Sequence, residues 1–176
     1  MVKTFSRMLE KTLETISIAL LVSLAVVVIL AVAFRKGGAS LVWYDEVAVV
    51  QLAWLTYYGS ALAALRRSHL GFSGVFFKLP VKLRLPLLVF SEVVVIGFFA
   101  VIGWAGWYLL EVFGDEALIS LPWVPLSFTQ SVIPIGAALF VIAELLSLPD
   151  AWQKARAGLD FEALAIEEAI EEAKQS

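Results

Sequence analysis

The chain has no cysteine. That absence excludes disulfides, thiolate nucleophiles and thiolate metal sites together. Histidine occurs once, as His69. A bis-histidine haem site within the chain is thereby excluded, and a zinc site would need an unusual ligand set. A catalytic histidine wants a nucleophile and an orienting acid close by, and the residues around His69 signal no such set. Charge is scarce too. Charged residues make up 16% of the 176 positions, against about 25% in a soluble domain. The basic residues sit beside apolar runs rather than in an exposed patch, so no nucleic-acid partner is expected. Neither a cofactor nor an enzymatic activity is expected.

What abounds is apolar: 61% of the residues are hydrophobic. One small core cannot bury that much, so the surplus must face lipid or other helices. Four apolar runs are long enough to cross roughly 30 Å of hydrocarbon at about 1.5 Å per residue. They cover about residues 16–34, 47–65, 85–110 and 126–148. All four are expected to be helices, because an open strand in lipid leaves its backbone groups unpaired. The expected fold class is an all-α membrane protein with four transmembrane helices. Residues 1–150 form the membrane domain and residues 151–176 an acidic cytoplasmic tail.

Orientation follows from lysine and arginine. Eleven of the 13 basic residues fall in the N-terminal segment, the loop after the second run and the tail. Only Arg35 and Lys36 fall in the other two loops. Both termini are therefore expected in the cytoplasm. Trp43, Tyr44, Trp104, Trp107, Tyr108 and Trp123 fall near the predicted outer ends, and Trp152 near an inner one, as interfacial aromatics do. The basic start followed by an apolar run and Ala31-Val32-Ala33 resembles a secretory signal. The run exceeds the usual signal core of about 7–15 residues, so a retained span is expected.

Two segments read as amphipathic. Phe5, Met8, Leu9, Thr12 and Leu13 form a stripe at helical spacing that leads into the first span. Between the second and third spans, Leu70, Phe72, Val75, Phe76 and Leu79 alternate with Lys78, Lys82 and Arg84. Such a stretch can lie in the membrane interface or dock a partner. The tail after Pro149 reads as an acidic, solvated helix.

Ionisable groups within spans are functional candidates. Here they are Glu92 and Glu144, both toward predicted cytoplasmic ends. Local pairing, contact with a partner subunit and an ion path all remain open for them. No ladder of carboxylates crosses the bilayer, which disfavours a self-contained proton relay. Asp45-Glu46 opens the second helix, where acids favour the unpaired N–H groups. Capping and pairing with another chain are both open. Gly59 and Ala63 lie four apart, and Gly97, Ala100, Gly103 and Gly106 recur every three residues. Small residues let helices approach closely, within the chain or with another. Pro134 with Gly136 predicts a bend in the fourth helix.

Several short motifs, in order, resemble one family. They are Trp43-Tyr44-Asp45-Glu46, Gly59 followed by Arg66-Arg67-Ser68-His69-Leu70, Ser120-Leu121-Pro122-Trp123, and Ile133-Pro134-Ile135-Gly136. Across most of residues 5–148 the chain resembles the small membrane subunit, the DctQ-like group, of tripartite ATP-independent periplasmic (TRAP) transporters. Asp45 departs from the glutamate more often expected there, with its charge kept. The resemblance implies a bacterial inner-membrane, multi-pass accessory subunit. Its implied partners are a large multi-helix membrane subunit, which moves the substrate, and a periplasmic binding protein, which captures organic acids. Partner contacts would then include Trp43, Asp45, Glu46, Trp54, Tyr58, Arg66, Arg67 and His69. Residues Gln51, Trp54, Tyr58, Leu62 and Leu65 share one helix face, which packing inside the bundle explains equally well. The alternative is a self-sufficient homo-oligomeric channel or carrier.

Overall fold

The computed structural model describes residues 2–66 and 80–157. Five helices occur among them: α1 Val2–Lys36, α2 Tyr44–Leu65, α3 Val81–Phe113, α4 Leu126–Gln130 and α5 Val132–Ala157. The described residues contain no β-strand, and the only extended pairing is an isolated bridge between Ala117 and Pro125. Four helical stretches are long and apolar enough to cross a membrane: Thr4–Lys36, Tyr44–Leu65, Leu83–Phe113 and Leu126–Gln153. The four expected spans are thus present, with longer helices around them. At about 1.5 Å per residue α1 and α3 reach roughly 50 Å, and α2 only about 33 Å.

The helices pack as a chain of neighbours. α1 lies against α2, α2 against α5, and α5 against α3. α2 and α5 are therefore central, and α1 and α3 flank them. α2 and α5 run parallel: Trp54 meets Thr129, Tyr57 meets Gly136, and Ala64 meets Ser147 in the same order along both. α3 and α5 run antiparallel, from Arg84 beside Ala155 to Gly106 beside Ile133. One end of the molecule carries the described loops 37–43 and 114–125 (the loop end). The other carries the ends of α1 and α5 nearest the chain termini (the terminal end).

Small residues set the closest approaches. A Cβ on Gly136 would lie 2.6 Å from the Tyr57 Cβ, and one on Gly106 would lie 2.5 Å from the Ile133 Cγ2. On Gly103 it would lie 3.3 Å from the Ala137 Cβ. Among the described residues Gly97, in the same three-residue series, meets nothing within 4 Å, and neither does Gly59. Gly103 and Gly106 thus serve packing inside the chain, and Gly97 does not. Toward the terminal end all four long helices share a core of Leu13, Ala61, Ala64, Phe140 and Ala143, with Phe99 stacked on Phe140 at 3.6 Å between ring centroids.

The fourth predicted span is two helices, broken at Ser131. Proline has no N–H, so Pro134 cannot donate to the Gln130 carbonyl four residues back. Side chains answer part of the interruption. The Ser131 hydroxyl donates to the Phe128 carbonyl at 2.7 Å, and the Trp54 indole N–H donates to the Thr129 carbonyl at 2.8 Å. Trp54→Phe keeps an aromatic ring but removes that donor and the second ring of the indole. It should cost about 2–3 kcal/mol of stability from the lost hydrogen bond and lost packing together, measured by thermal unfolding in mild detergent. Pro134 itself falls in the first turn of α5, where a missing N–H costs least. α5 also continues through Pro149 to Ala157.

Candidate functional site

The loop end carries the most built feature among the described residues. Loop 114–125 folds back on itself: Leu118 N–H donates to the Val124 carbonyl at 3.1 Å, and Leu126 N–H to the Glu116 carbonyl at 2.8 Å. Its tip is Ile119-Ser120-Leu121-Pro122. Glu46, in the first turn of α2, holds that tip. Its carboxylate accepts from the Ile119 N–H at 3.1 Å, from the Ser120 N–H at 3.0 Å, and from the Ser120 hydroxyl. One anionic side chain so satisfies two backbone donors of a loop more than 70 positions away. Charged acceptors make stronger hydrogen bonds than neutral ones.

Beneath this latch is a half-open apolar cleft of about 260 Å³. Its lining comes from Leu20 of α1, from Val47, Val50, Gln51 and Trp54 of α2, and from Leu118, Leu121 and Phe128 in and after the loop. No polar atom contributes to its surface. The Gln51 amide nitrogen turns instead to the Ser23 hydroxyl at 2.6 Å, and the Thr129 hydroxyl donates to the Leu126 carbonyl. At the end of α1, Arg35 donates to the Tyr44 hydroxyl at 2.6 Å and lies over its ring.

The residues expected to contact a partner fall into three groups. Trp54 and Tyr58 face into the chain: Trp54 packs on Phe128 and edge-on to Tyr58, and Tyr58 adjoins the main core. Leu62 and Leu65 adjoin that core too, so the whole stripe from Gln51 to Leu65 is engaged within the chain. Trp43 is half-buried before α2, Asp45 is exposed, and Glu46 holds the loop. Arg66, at the end of α2, pairs with Glu10 at 2.8 Å and Glu14 at 3.1 Å on α1. The bond from Glu10, then that from Glu14, holds its guanidinium pKa above an already high value. Arg67 and His69 lie outside the described residues, as do the apolar residues Leu70 to Leu79 of the predicted amphipathic loop. In the predicted N-terminal stripe, Leu13 is buried and Leu9 packs on it, whereas Phe5 and Met8 are exposed.

Glu92 and Glu144 are buried near the terminal end, and both interact with neighbouring groups. Ser147, one turn beyond Glu144, donates to the Ala64 carbonyl at 3.2 Å, which places Glu144 near the level where α2 ends. Buried Arg84 donates to the Ala155 carbonyl at 3.0 Å and so serves the last turn of α5. Cations suit helix C-termini, where unpaired carbonyls gather.

Four long apolar helices, with large hydrophobic side chains exposed along α1 and α3, define a multi-pass membrane protein. Among the described residues its built features serve packing and loop position. The chain belongs to the DctQ component family of tripartite ATP-independent periplasmic transporters, whose family model matches residues 24–154. That family is a transporter component, not an enzyme family. Comparison with curated proteins gives no match.

Sequence reasoning missed Ser120 as the partner of Glu46. Both residues lie in motifs that carried the family resemblance, Trp43-Tyr44-Asp45-Glu46 and Ser120-Leu121-Pro122-Trp123, and the fold joins them. Nothing in either motif alone announces that contact. Likewise Gly136 of the last motif abuts Tyr57 of α2.

Proposed function

We propose that this protein is the small accessory membrane subunit of a TRAP transporter in a bacterial inner membrane. It pairs with a large multi-helix subunit that moves the substrate, and works with a periplasmic protein that captures organic acids. Its role is to widen the stationary frame against which the large subunit moves. The observation that carries this reading is the family match across the four-span region. In the same reading the loop end faces the periplasm and both chain termini face the cytoplasm. The excess of lysine and arginine toward the terminal end supports that orientation. Residues 1–150 are then the membrane domain and 151–176 a cytoplasmic tail.

A stationary frame must keep its shape while its neighbour moves. The close α2–α5 and α3–α5 packing and the Glu46 latch supply such rigidity. Exposed Asp45, half-buried Trp43 and the exposed flanks of α1 and α3 remain available to a partner. Glu92 and Glu144 stand as sites of local pairing or subunit contact near the terminal end.

The test is affinity purification of the chain from its native membranes in mild detergent, with mass spectrometry of what accompanies it. A large multi-helix protein at near-equal amount is expected. Reversing charge at Asp45 and Glu46 together should lower its recovery. A pure homo-oligomer in several detergents would instead favour a self-sufficient channel or carrier, to be followed by flux assays in liposomes.

A further inference from the structure

The cleft under loop 114–125 has no assigned occupant. We propose that it holds one acyl chain of a bilayer phospholipid, whose phosphate rests against Arg35 and Lys36. This inference is independent of the transporter reading and needs only that the four helices lie in a bilayer.

The walls carry the first part of the argument. Their accessible surface is apolar, although Gln51 and Thr129 are among the lining residues, so a water in the cleft would find few hydrogen-bond partners. A void would forfeit dispersion contacts along its lining. The cleft is half open, and Leu20 of α1 and Leu118, Leu121 and Phe128 near the loop are among its lining residues.

Depth carries the second part. Tyr44, Val47, Gln51 and Trp54 follow one another at i, i+3, i+7 and i+10, and so share one face of α2. The cleft lies along that face from Val47 to Trp54, and Tyr44 with its Arg35 partner stands about one turn before Val47. Ten residues of helix separate Tyr44 from Trp54, about 15 Å. That is half of the roughly 30 Å hydrocarbon layer, the depth of one leaflet.

Charge carries the third part. Arg35 and Lys36 are the only basic residues at the loop end among the described residues, and both are exposed. They close the last turn of α1, and Arg35 reaches the Tyr44 hydroxyl and ring at the start of α2. A guanidinium matches phosphate geometry with paired donors. The roof is fixed as well. The Glu46 grip on Ile119 and Ser120 holds Leu118 and Leu121, which flank those residues, against the cleft.

The test places the photo-crosslinker p-benzoylphenylalanine at position 20 of the full chain. Irradiation is done in native membranes with all partners present, followed by mass spectrometry of the purified protein. A second sample carries the crosslinker at position 18, an exposed site on α1. A phospholipid adduct is expected at position 20. Its yield should fall about five-fold for each cation removed in Arg35→Ala and Lys36→Ala. Adducts at position 18 should not change. Val47→Trp, which fills the cleft without touching the cations, should remove the cation-dependent adduct. A crosslink from position 20 to another polypeptide, whether a larger membrane protein or a second copy of this chain, would overturn the proposal. So would an adduct at position 20 that ignores both cations and the filled cleft.

Discussion

Gly136→Leu should prevent α2 and α5 from closing, and Gly136→Ala should destabilise the protein by about 1–3 kcal/mol. The neighbour is the reason. A methyl at position 136 would meet the Tyr57 Cβ at 2.6 Å and its Cγ at 2.9 Å, the stiff root of the side chain rather than its far end. Turning the ring away cannot relieve that contact, so the two helices must separate. Gly97→Ala is the matched comparison. It has open space around it, and alanine favours a helix over glycine by about 1 kcal/mol. It should be neutral or mildly stabilising. Unfolding of the purified chain in mild detergent, followed by far-ultraviolet circular dichroism, separates the two. Equal effects from both alanines would mean that α2 and α5 are not held together at position 136.

Glu46→Gln should release the loop tip, and Asp45→Asn should leave it in place. The carboxylate offers acceptor oxygens on both arms, and both are used. An amide has one acceptor arm, and its NH2 would face either the Ile119 N–H or the Ser120 donors. Asp45, one residue earlier, is exposed on another face of the helix. Hydrogen exchange provides the measurement. The Ile119 and Ser120 amides should exchange far faster in Glu46→Gln than in the parent, with helix amides of α2 unchanged. Slow exchange that survives the substitution would show that the backbone turn alone protects them. The same pair of variants divides the charge-reversal test. Complex recovery lost with Glu46→Gln alone points to loop position, and recovery lost only with Asp45 changed points to direct contact.

The four spans were legible because a bilayer imposes length and polarity on each helix separately. No partner segment is needed to recognise residues 16–34 or 85–110. The site was less legible, because its parts meet across the chain. Glu46 at a helix start reads as a cap, and only the fold brings Ser120 to it. The series Gly97, Ala100, Gly103, Gly106 has one spacing but two environments. At 100° per residue a three-residue step drifts around the helix, so its members cannot all face the same neighbour. Pro134 announced an irregularity, and its position was displaced by chemistry: the missing N–H is felt at the carbonyls of the preceding turn, where the helix breaks at Ser131. Trp54 and Tyr58 looked equally fit for a partner or for the interior, because an aromatic stripe suits either, and the fold turned them inward.

The parallel pairing of α2 and α5 also constrains how the protein is made. Parallel neighbours cannot be joined by a short turn, and here an entire span, α3, is synthesised between them. α1 and α2 can insert together as a hairpin, clasped by Arg66 between Glu10 and Glu14. The joint between Tyr57 and Gly136 must wait until α5 has left the ribosome. Until then the inward face of α2, with Trp54 and Tyr58, is presented to the bilayer. An arrest of translation before residue 132 would therefore leave a stable hairpin whose most aromatic surface is unclaimed, the form most open to wrong association and to quality-control proteases.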